Sequence, residues 1–414
     1  MKQWDLLEER RFWELPHFPV CFYIFLIGIL VALLSGCVHR QLVSEPYPRW
    51  GEETTIQVSG TDAPILRALY PPKPTQAPAC VLLVHGMNEH IGRYDEAAKY
   101  LATQFVVAGF DFYAHGLSNL VLRHADRLLA EGVGTVDVSD AYLAQSRLAD
   151  LEPMRQSLHQ ALTETIVLCD GEQAMRRPVF IVAHSLGALV TASYLLQPQH
   201  EQALIDRIGG VVFLGPAFAV SEPPGWRGWV ANPVIKLSFH AKTHLLYPHD
   251  EPLPLMVLNQ MLALITVPLL DGLFEVLSWP GIRAVLSPIS PQWVTDYLTD
   301  SEIEKNKLRA DGWIVRRTLL RFVKGIETEI VYFRRLMREF KIPYLLIASE
   351  HDPITPAWGG KDFAQETLLH HPDNVLLMLP DLHYHQHLFL GEPKRTELLA
   401  HIAQWIEHRL QVTQ

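Results

Sequence analysis

Ser185 is the residue best placed in this sequence to act as a nucleophile. It lies in the segment PVFIVAHSLGAL, in which an apolar run leads into Ala183-His-Ser-Leu-Gly187 and then into a helix-forming stretch. On such a sharp strand-to-helix turn the hydroxyl projects above the sheet, and small neighbours at 183 and 187 let other backbone approach. The N–H groups at the start of the helix point to where negative charge develops on a carbonyl oxygen. The pattern favours acyl transfer over a serine that merely caps a helix.

The elements around Ser185 must hold it at the edge of a sheet. Six short apolar runs, rich in Val and Ile and bounded by Gly and Pro, are typical of strands buried on both faces. They span residues 80–84, 105–112, 178–183, 210–214, 343–348 and 374–379. Helical patterns lie between or after them, at 94–104, 153–175, 186–197 and 394–411. Strand-helix alternation predicts an α/β fold with a mostly parallel sheet flanked by helices.

Two other regions depart from this alternation. Residues 54–70 contain two strand-like runs separated by Ser-Gly-Thr-Asp, which indicates a hairpin. Residues 215–340 are too long for a loop and too apolar for a linker, so they indicate an inserted helical cap. The predicted organisation is a signal or anchor at 1–37, a linker at 38–53, a core at 54–214, the cap at 215–340, and the rest of the core at 341–414.

Two further motifs identify a family. His85-Gly-Met-Asn-Glu-His-Ile-Gly-Arg-Tyr94 resembles the HG-x-x-EH-x-x-RY stretch of monoacylglycerol lipases and related lysophospholipases. The segment from Asp111 to Ser118 resembles their D-x-x-x-HG-x-S motif. The resemblance extends from about residue 54 to 411 and implies the α/β-hydrolase fold with a helical cap. In that fold the oxyanion hole is formed by backbone N–H groups after the first strand and after the nucleophile, which assigns the donors to Met87 and Leu186.

The same resemblance suggests the acid and the histidine of a triad, in the chain order serine, acid, histidine. Ser349-Glu-His-Asp352-Pro-Ile is similar to the family's G-x-x-D-x-I/V turn, so Asp352 is the expected acid and Glu350 its rival. Residues 383–387 read His-Tyr-His-Gln-His, and the family's histidine precedes Glu-Pro by five and six residues. That offset selects His387, with His385 next and His383 third. His85 and His184 are expected to pack or hydrogen-bond near the site.

The N-terminal segment indicates export and a membrane anchor. Residues 20–34 are an unbroken apolar run, and Leu34-Ser-Gly-Cys37 resembles a bacterial lipobox whose cysteine is lipidated. The acidic residues before the run are unusual for a signal, so an uncleaved signal anchor and a buried N-terminal helix remain as alternatives. We expect a bacterial cell-envelope lipoprotein, periplasmic or outer-facing. Cys21 and Cys80 are expected to be buried small apolar residues.

Composition limits the remaining function classes. The chain has 414 residues, 49% hydrophobic and 19% charged, which excludes intrinsic disorder. Its net charge of −10 disfavours a nucleic-acid surface. Four scattered cysteines do not form a disulfide scaffold. The His-x-His-x-His string could suggest a metal site, but no partner residue is spaced to complete one. We expect no metal and no organic cofactor.

The apolar stretch at 253–282 in the predicted cap bears on the substrate. It carries only Asp271 and Glu275 as charges, so it must pack in the cap, face an acyl chain or enter lipid. With the anchor, it favours a lipid-like ester such as monoacylglycerol or a lysophospholipid, and no obligate protein partner is evident. The alternatives are a short-chain carboxylesterase, a thioesterase or a peptidase of the same fold, and a non-catalytic, membrane-tethered binding module.

Overall fold

The computed structural model describes most of the chain from residue 40 to residue 412. The described range excludes 44–46, 56–64, 142, 144–147, 149, 172–175, 198–201, 222–224, 247–251, 278–294 and 316–319. The predictions for the signal segment, Cys21 and Cys37, and for the Ser-Gly-Thr-Asp turn, concern residues outside those described.

Eight strands form one twisted central sheet. In chain order the described strands are β1 (Gln41–Val43), β2 (Glu52–Thr55), β3 (Ile65–Leu69), β4 (Cys80–Val84), β5 (Val106–Phe110), β6 (Thr135–Asp137), β7 (Val179–His184), β8 (Ile208–Leu214), β9 (Tyr344–Ser349) and β10 (Val375–Leu379). The sheet order is β10-β9-β8-β7-β4-β5-β3-β2, parallel from β10 to β5 and antiparallel at β3 and β2. The central strands are fully buried, as expected for apolar runs covered on both faces.

Helices cover the two faces of this sheet. The described α-helices are α1 (Asp95–Leu101), α2 (Leu120–Ala130), α3 (Glu152–Asp170), α4 (Leu186–Leu195), α5 (Gln202–Ile205), α6 (Gly225–Leu246), α7 (Leu253–Leu277), α8 (Thr295–Leu298), α9 (Glu302–Ala310), α10 (Leu320–Leu336), α11 (Ala357–Thr367) and α12 (Lys394–Val412). Two apolar cores result, one on each face of the sheet. The prediction of a mostly parallel sheet flanked by helices is confirmed.

The predicted linker at 38–53 is wrong for its described part. β1 pairs antiparallel with β6, and the Tyr47 and Trp50 side chains are buried in the domain. The indole of Trp50 donates to the carbonyl of Ile91 at 2.7 Å. A short, Pro-containing polar stretch looks like a linker in sequence, but its aromatic residues pack against the first turn after β4. This stretch therefore belongs to the folded domain.

Cys80 is not a free buried thiol, contrary to the sequence prediction. It forms a disulfide with Cys169, which joins the first residue of β4 to the last turn of α3. Both cysteines are fully buried. The two cysteines are 89 residues apart in sequence, so local spacing does not predict that they pair.

Helices α6 to α10 lie in the segment between β8 and β9, where the cap is predicted. α6 and α7 pack against each other and against α10, which in turn contacts α4 directly behind Ser185. Within the described residues, Leu253–Leu273 is the one helical stretch long and apolar enough to cross a membrane, and only 17% of it is buried.

Candidate active site

Ser185 lies on the turn between β7 and α4 in a backbone conformation that few residues adopt. Its φ is 53° and its ψ −119°, a region that is strained for a residue with a side chain. The surroundings hold this conformation, because the Ser185 N–H donates to the carbonyl of Leu214 at 2.9 Å. The strained turn places the hydroxyl at the carboxyl edge of the sheet, as the Ala-x-Ser-x-Gly pattern predicts.

His385 connects Ser185 to Asp352. Its Nε2 lies 2.8 Å from Ser185 Oγ, and its Nδ1 lies 2.8 Å from Asp352 Oδ2. Because a carboxylate only accepts, Nδ1 carries the proton and Nε2 accepts from the serine hydroxyl. Ser185 and His385 are buried, and the side chain of Asp352 is 1% exposed. This is the geometry of a serine–histidine–acid triad.

The selection of His387 as the third triad member is wrong in geometry. His387 begins a 3-10 turn (His387–Phe389), and its Nε2 lies 3.0 Å from Ser349 Oγ rather than near Ser185. Burial lowers its pKa to about 3, although the charge of Asp352 acts in the opposite direction. The prediction from the offset to Glu-Pro was wrong because a count of residues does not show how the chain turns between the histidine loop and Glu392.

Asp352 is the carboxylate that contacts the His385 imidazole in this arrangement. Burial alone would raise its pKa, but the His385 imidazole and, with a smaller effect, the backbone N–H of Thr355 lower it to about 2. The N–H groups of Ile354 and Thr355 donate to Oδ1 at 2.8 and 2.9 Å. The rival, Glu350, pairs with Lys361 at the surface, 2.5 Å away. Asp352 is thus held as a carboxylate facing His385.

The loop after β4 lies close to the start of α4. A Cβ atom on Gly86 would come 3.1 Å from Ser185 Cβ, and one on Gly187 would come 2.4 Å from the carbonyl oxygen of His85. Larger residues at 86 and 187 would push the two segments apart. Gly86 and Gly187 are the chain neighbours of Met87 and Leu186, the residues whose N–H groups the sequence predicts to form the oxyanion hole.

Glu89 links this loop to the histidine loop. Its carboxylate accepts from Gly86 N–H, the Tyr94 hydroxyl, His184 Nδ1, the Arg93 guanidinium and the Gln386 amide. Burial would raise its pKa, but His184 and Arg93 lower it well below the ordinary value. His184 also lies 3.2 Å, through Nε2, from the carbonyl of His385. Glu89 therefore connects the predicted oxyanion loop, the residue before Ser185 and the residue after His385.

Asp111 fixes the other side of the same loop. It accepts from the N–H groups of Ile91 and Leu117 at 2.7 and 2.9 Å, and from the Tyr47 hydroxyl at 2.5 Å. Gly116 has φ +45°, and a Cβ there would lie 2.2 Å from the Asp111 carboxylate. The Asp…Gly spacing of the D-x-x-x-HG-x-S motif thus serves to pack the end of β5 against the loop after β4.

The histidine loop is also held by the inserted segment. The N–H groups of His385 and Gln386 donate to the carbonyls of Tyr297 and Leu298 in α8, at 3.2 and 2.8 Å. A carbonyl at the end of a helix has no partner within the helix, so it is free to accept here. The helices between β8 and β9 therefore contribute directly to the position of His385.

The three alternating histidines do not converge on one point. His385 contacts Ser185 and Asp352, His387 contacts Ser349, and the exposed His383 stacks on His351 with ring centroids 4.8 Å apart. Within the described part of the chain, no group of three His, Cys, Asp or Glu side chains is placed to hold a metal ion.

Comparisons with known proteins identify the family of the chain. The family model described as serine aminopeptidase, S33, matches residues 75–389, which is more than half of the chain. The chain belongs to this family. It carries the α/β-hydrolase fold. No curated protein matches the sequence.

Several solved structures share the fold of this S33-family chain. A soluble variant of monoglyceride lipase from Saccharomyces cerevisiae, in complex with a substrate analogue, has a TM-score of 0.59 at 14% identity, over 88% of this chain and 98% of the lipase. Monoacylglycerol lipase from Paleococcus ferrophilus gives 0.52 at 19% identity, over 83% and 98%. A thermostable carboxyl esterase from Bacillus coagulans, in complex with glycerol, gives 0.53 at 17% identity, over 87% and 100%.

Two residues at the site of this S33-family chain carry roles that sequence reasoning did not assign. Thr355 Oγ1 lies 2.9 Å from Asp352 Oδ2 and 3.1 Å from the carbonyl of Gly215. Glu89 lies inside a recognised motif, but only the fold shows which five donors it accepts from. For Thr355, the signal was its place three residues after the acid, where side chains commonly hydrogen-bond back to a turn.

Proposed function

We propose that this protein is a serine hydrolase that cleaves carboxylic esters of lipid-like substrates, of the monoacylglycerol or lysophospholipid class. The observation that carries the proposal is the hydrogen-bonded series from Ser185 through His385 to Asp352, with both links at 2.8 Å. The strained backbone of Ser185 supports it further, because such strain is typical of functional sites.

The reaction follows from the roles that these groups can take. His385 Nε2 accepts the hydroxyl proton as Ser185 Oγ bonds to the ester carbonyl carbon, and the carbonyl oxygen becomes an oxyanion. The backbone N–H groups of Met87 and Leu186 stabilise that charge. The C–O bond to the alcohol then breaks, the alcohol takes the proton from His385, and an acyl ester on Ser185 remains. A water molecule, deprotonated by His385, then attacks this ester. The bond to Ser185 Oγ breaks, Oγ takes the proton back from His385, and the carboxylic acid is released.

The test uses the full-length chain in detergent micelles with a fluorophosphonate probe. We expect the wild type to be labelled and Ser185→Ala to be unlabelled. His383→Ala, at an exposed residue of the histidine loop, serves as a further folded comparator. Absence of labelling in a folded wild-type chain, with and without added phospholipid, would refute the assignment of Ser185.

A substrate series then addresses the class of ester. We expect hydrolysis to be faster with long-chain than with short-chain acyl glycerols, and an aminoacyl arylamide to be a poor substrate. The arylamide is included because the family is named after a serine aminopeptidase. A preference for acetyl or butyryl esters would identify a short-chain carboxylesterase, and preferential arylamide cleavage would identify an aminopeptidase.

Helix α7 supports a lipid-like substrate and a membrane partner. Ten large apolar side chains of this helix are exposed, among them Leu253, Met261, Ile265 and Leu269 at 61–71%. At 100° per residue, the ten fall within an arc of about 200°. The stretch from Leu253 to Leu270 carries no charged side chain, and the two charged residues of the helix, Asp271 and Glu275, lie in its last two turns. Protein interfaces usually carry a polar rim, whereas hydrocarbon requires none. We therefore propose that α7 enters the surface of the bilayer to which the N-terminal segment, lipidated at Cys37, anchors the protein.

This membrane contact can be tested with a polarity-sensitive dye. The full-length Ile265→Cys variant is labelled with a nitrobenzoxadiazole dye and reconstituted into phosphatidylcholine vesicles. Ile303→Cys in α9 is the matched control, since the two residues are 71% and 70% exposed. The unsubstituted chain corrects for dye at native cysteines. We expect a blue shift and stronger emission at 265 alone, and equal spectra at 265 and 303 would refute the contact.

A further inference from the structure

Ser349 and His387 contact each other directly beneath the Ser185–His385–Asp352 series. Ser349 is the last residue of β9 and is fully buried, as is His387. Ser349 Oγ lies 3.0 Å from His387 Nε2 and 2.9 Å from the carbonyl of Tyr384. Ser349 departs from the family motif, which has glycine at this position of the turn. His387 matches the offset to Glu-Pro, but it does not contact Ser185.

The hydrogen bonds define which nitrogen of His387 carries the proton. A carbonyl only accepts, so the Ser349 hydroxyl donates to Tyr384 O. That hydroxyl has a single proton, and it must therefore accept from His387 Nε2–H. Nδ1 of His387 then bears a lone pair, and it has no hydrogen-bond partner among the described residues. Burial keeps this ring neutral by lowering the His387 pKa to about 3.

The unprotonated Nδ1 lies on the side of Asp352. A side chain on Gly215 would begin 3.2 Å from His387 Nδ1 and 3.4 Å from Asp352 Oδ2. The other titratable groups that face His387 are His184 and His385. A proton on Nδ1 would make His387 a second imidazole donor near the carboxylate. With the proton on Nε2 instead, His387 cannot donate to Asp352, and His385 is the imidazole that donates to the carboxylate.

We infer that the Ser349–His387 pair positions His385 and prevents His387 from donating a hydrogen bond to Asp352, so that His385 is the imidazole that donates to this carboxylate. Ser349 holds the carbonyl immediately before His385 and the side chain two residues after it, so both ends of the histidine segment are fixed to β9. The same hydroxyl fixes the His387 tautomer that cannot donate to Asp352. Ser349 and His387 are positioning residues, because neither contacts Ser185. The inference rests on the proposed function of the series.

The test compares Ser349→Ala, His387→Gln, His387→Leu and the Ser349→Ala/His387→Leu double variant with wild type. Each full-length protein is measured for kcat and KM on a long-chain ester and for the rate of fluorophosphonate labelling against pH. Thermal unfolding monitors the fold. The amide of His387→Gln can reach the place of Nε2 and donate to Ser349, whereas His387→Leu fills the space without a donor.

We expect Ser349→Ala to lower kcat about tenfold with little change in KM, since misplacement of a catalytic group mainly affects the chemical step. In that variant His387 is free to protonate Nδ1 and donate to Asp352, so His385 loses support for its cation. The midpoint of labelling then moves to lower pH. His387→Gln should resemble wild type, and the double variant should recover the wild-type midpoint because no second imidazole remains.

Three results would overturn the inference. One is a Ser349→Ala enzyme with wild-type kcat and midpoint, another is a His387→Gln enzyme as slow as His387→Leu, and the third is a double variant that keeps the shifted midpoint. If Ser349→Ala fails to fold, the comparison of Gln with Leu at 387 decides the question. A folded wild-type chain that is neither labelled nor active would instead refute the proposed function itself.

Discussion

Replacement of Glu89 by glutamine tests whether the buried carboxylate holds the site together. Glu89→Gln keeps the size of the side chain but exchanges one acceptor oxygen for an NH₂ group. The five donors that converge on Glu89 are Gly86 N–H, Tyr94 OH, His184, Arg93 and Gln386. Whichever way the amide turns, its NH₂ faces at least two of these donors. Those donors would remain buried and without an acceptor.

The magnitude follows from the charge and burial of the network. Hydrogen bonds to a charged group contribute about 1.5–3 kcal/mol each, and breaking a buried charge pair costs about 3–5 kcal/mol. Because glutamine retains one acceptor, we expect the free energy of unfolding to fall by about 3 kcal/mol at pH 7. The assay is urea unfolding followed by circular dichroism. Glu350→Gln is the control, since its surface pair with Lys361 should contribute less than about 1 kcal/mol.

Acidification provides a second readout of the same variant. The pKa of Glu89 is well below its ordinary value in the folded chain. Its contribution to stability is therefore complete above the pKa of the unfolded chain, about 4.3, and is lost as pH falls toward the folded pKa. The difference between wild type and Glu89→Gln should shrink below about pH 4. A loss under about 1 kcal/mol at pH 7, or a difference independent of pH, would refute this account of Glu89.

Three other predictions use the same enzyme. His385→Ala should lower kcat for ester hydrolysis at least about 10⁴-fold, whereas His383→Ala should leave kcat unchanged. Equal activities of the two variants would contradict the assignment of His385. Asp352→Asn should lower kcat by about 10⁴-fold without unfolding the chain, and a loss under tenfold would exclude Asp352 as the acid. Replacing both Cys80 and Cys169 by alanine should lower the free energy of unfolding by about 2–5 kcal/mol, and an unchanged urea midpoint would argue against the disulfide.

The strands of the sheet were predictable because their signal is local. Runs such as 80–84 and 344–348 are apolar throughout, and their composition alone indicates burial on both faces. Helices α2 and α11 were not anticipated, since their apolar residues are mixed with polar ones within longer connecting segments. The prediction of a linker at 38–53 was wrong for a different reason. This stretch packs into the domain through Tyr47 and Trp50, whose hydrogen-bond partners, Asp111 and Ile91, lie far away in sequence.

The site was predictable up to the choice among neighbouring histidines. Ser185 and Asp352 each follow a strand, so the edge of the sheet fixes their positions. His385 and His387 lie in an irregular loop, where a two-residue difference changes which side chain faces Ser185. The turn at His387–Phe389 and the backbone contacts with α8 determine that choice. Neither feature has a local sequence signature, and the pairing of Cys80 with Cys169 has none for the same reason.

The contacts of Arg40 have a consequence for how the enzyme meets its substrate. Its guanidinium donates to the carbonyls of Asp311 and Ile314, and its N–H donates to Ser139. With the lipid on Cys37, as we propose, only two residues separate the anchor from this fixed point, and the three Cα–Cα steps reach about 10 Å. The catalytic domain then cannot rise into the aqueous phase to collect dispersed monomers. Its encounters become a two-dimensional search within a single leaflet, and turnover should depend on the surface density of the ester rather than on its bulk concentration.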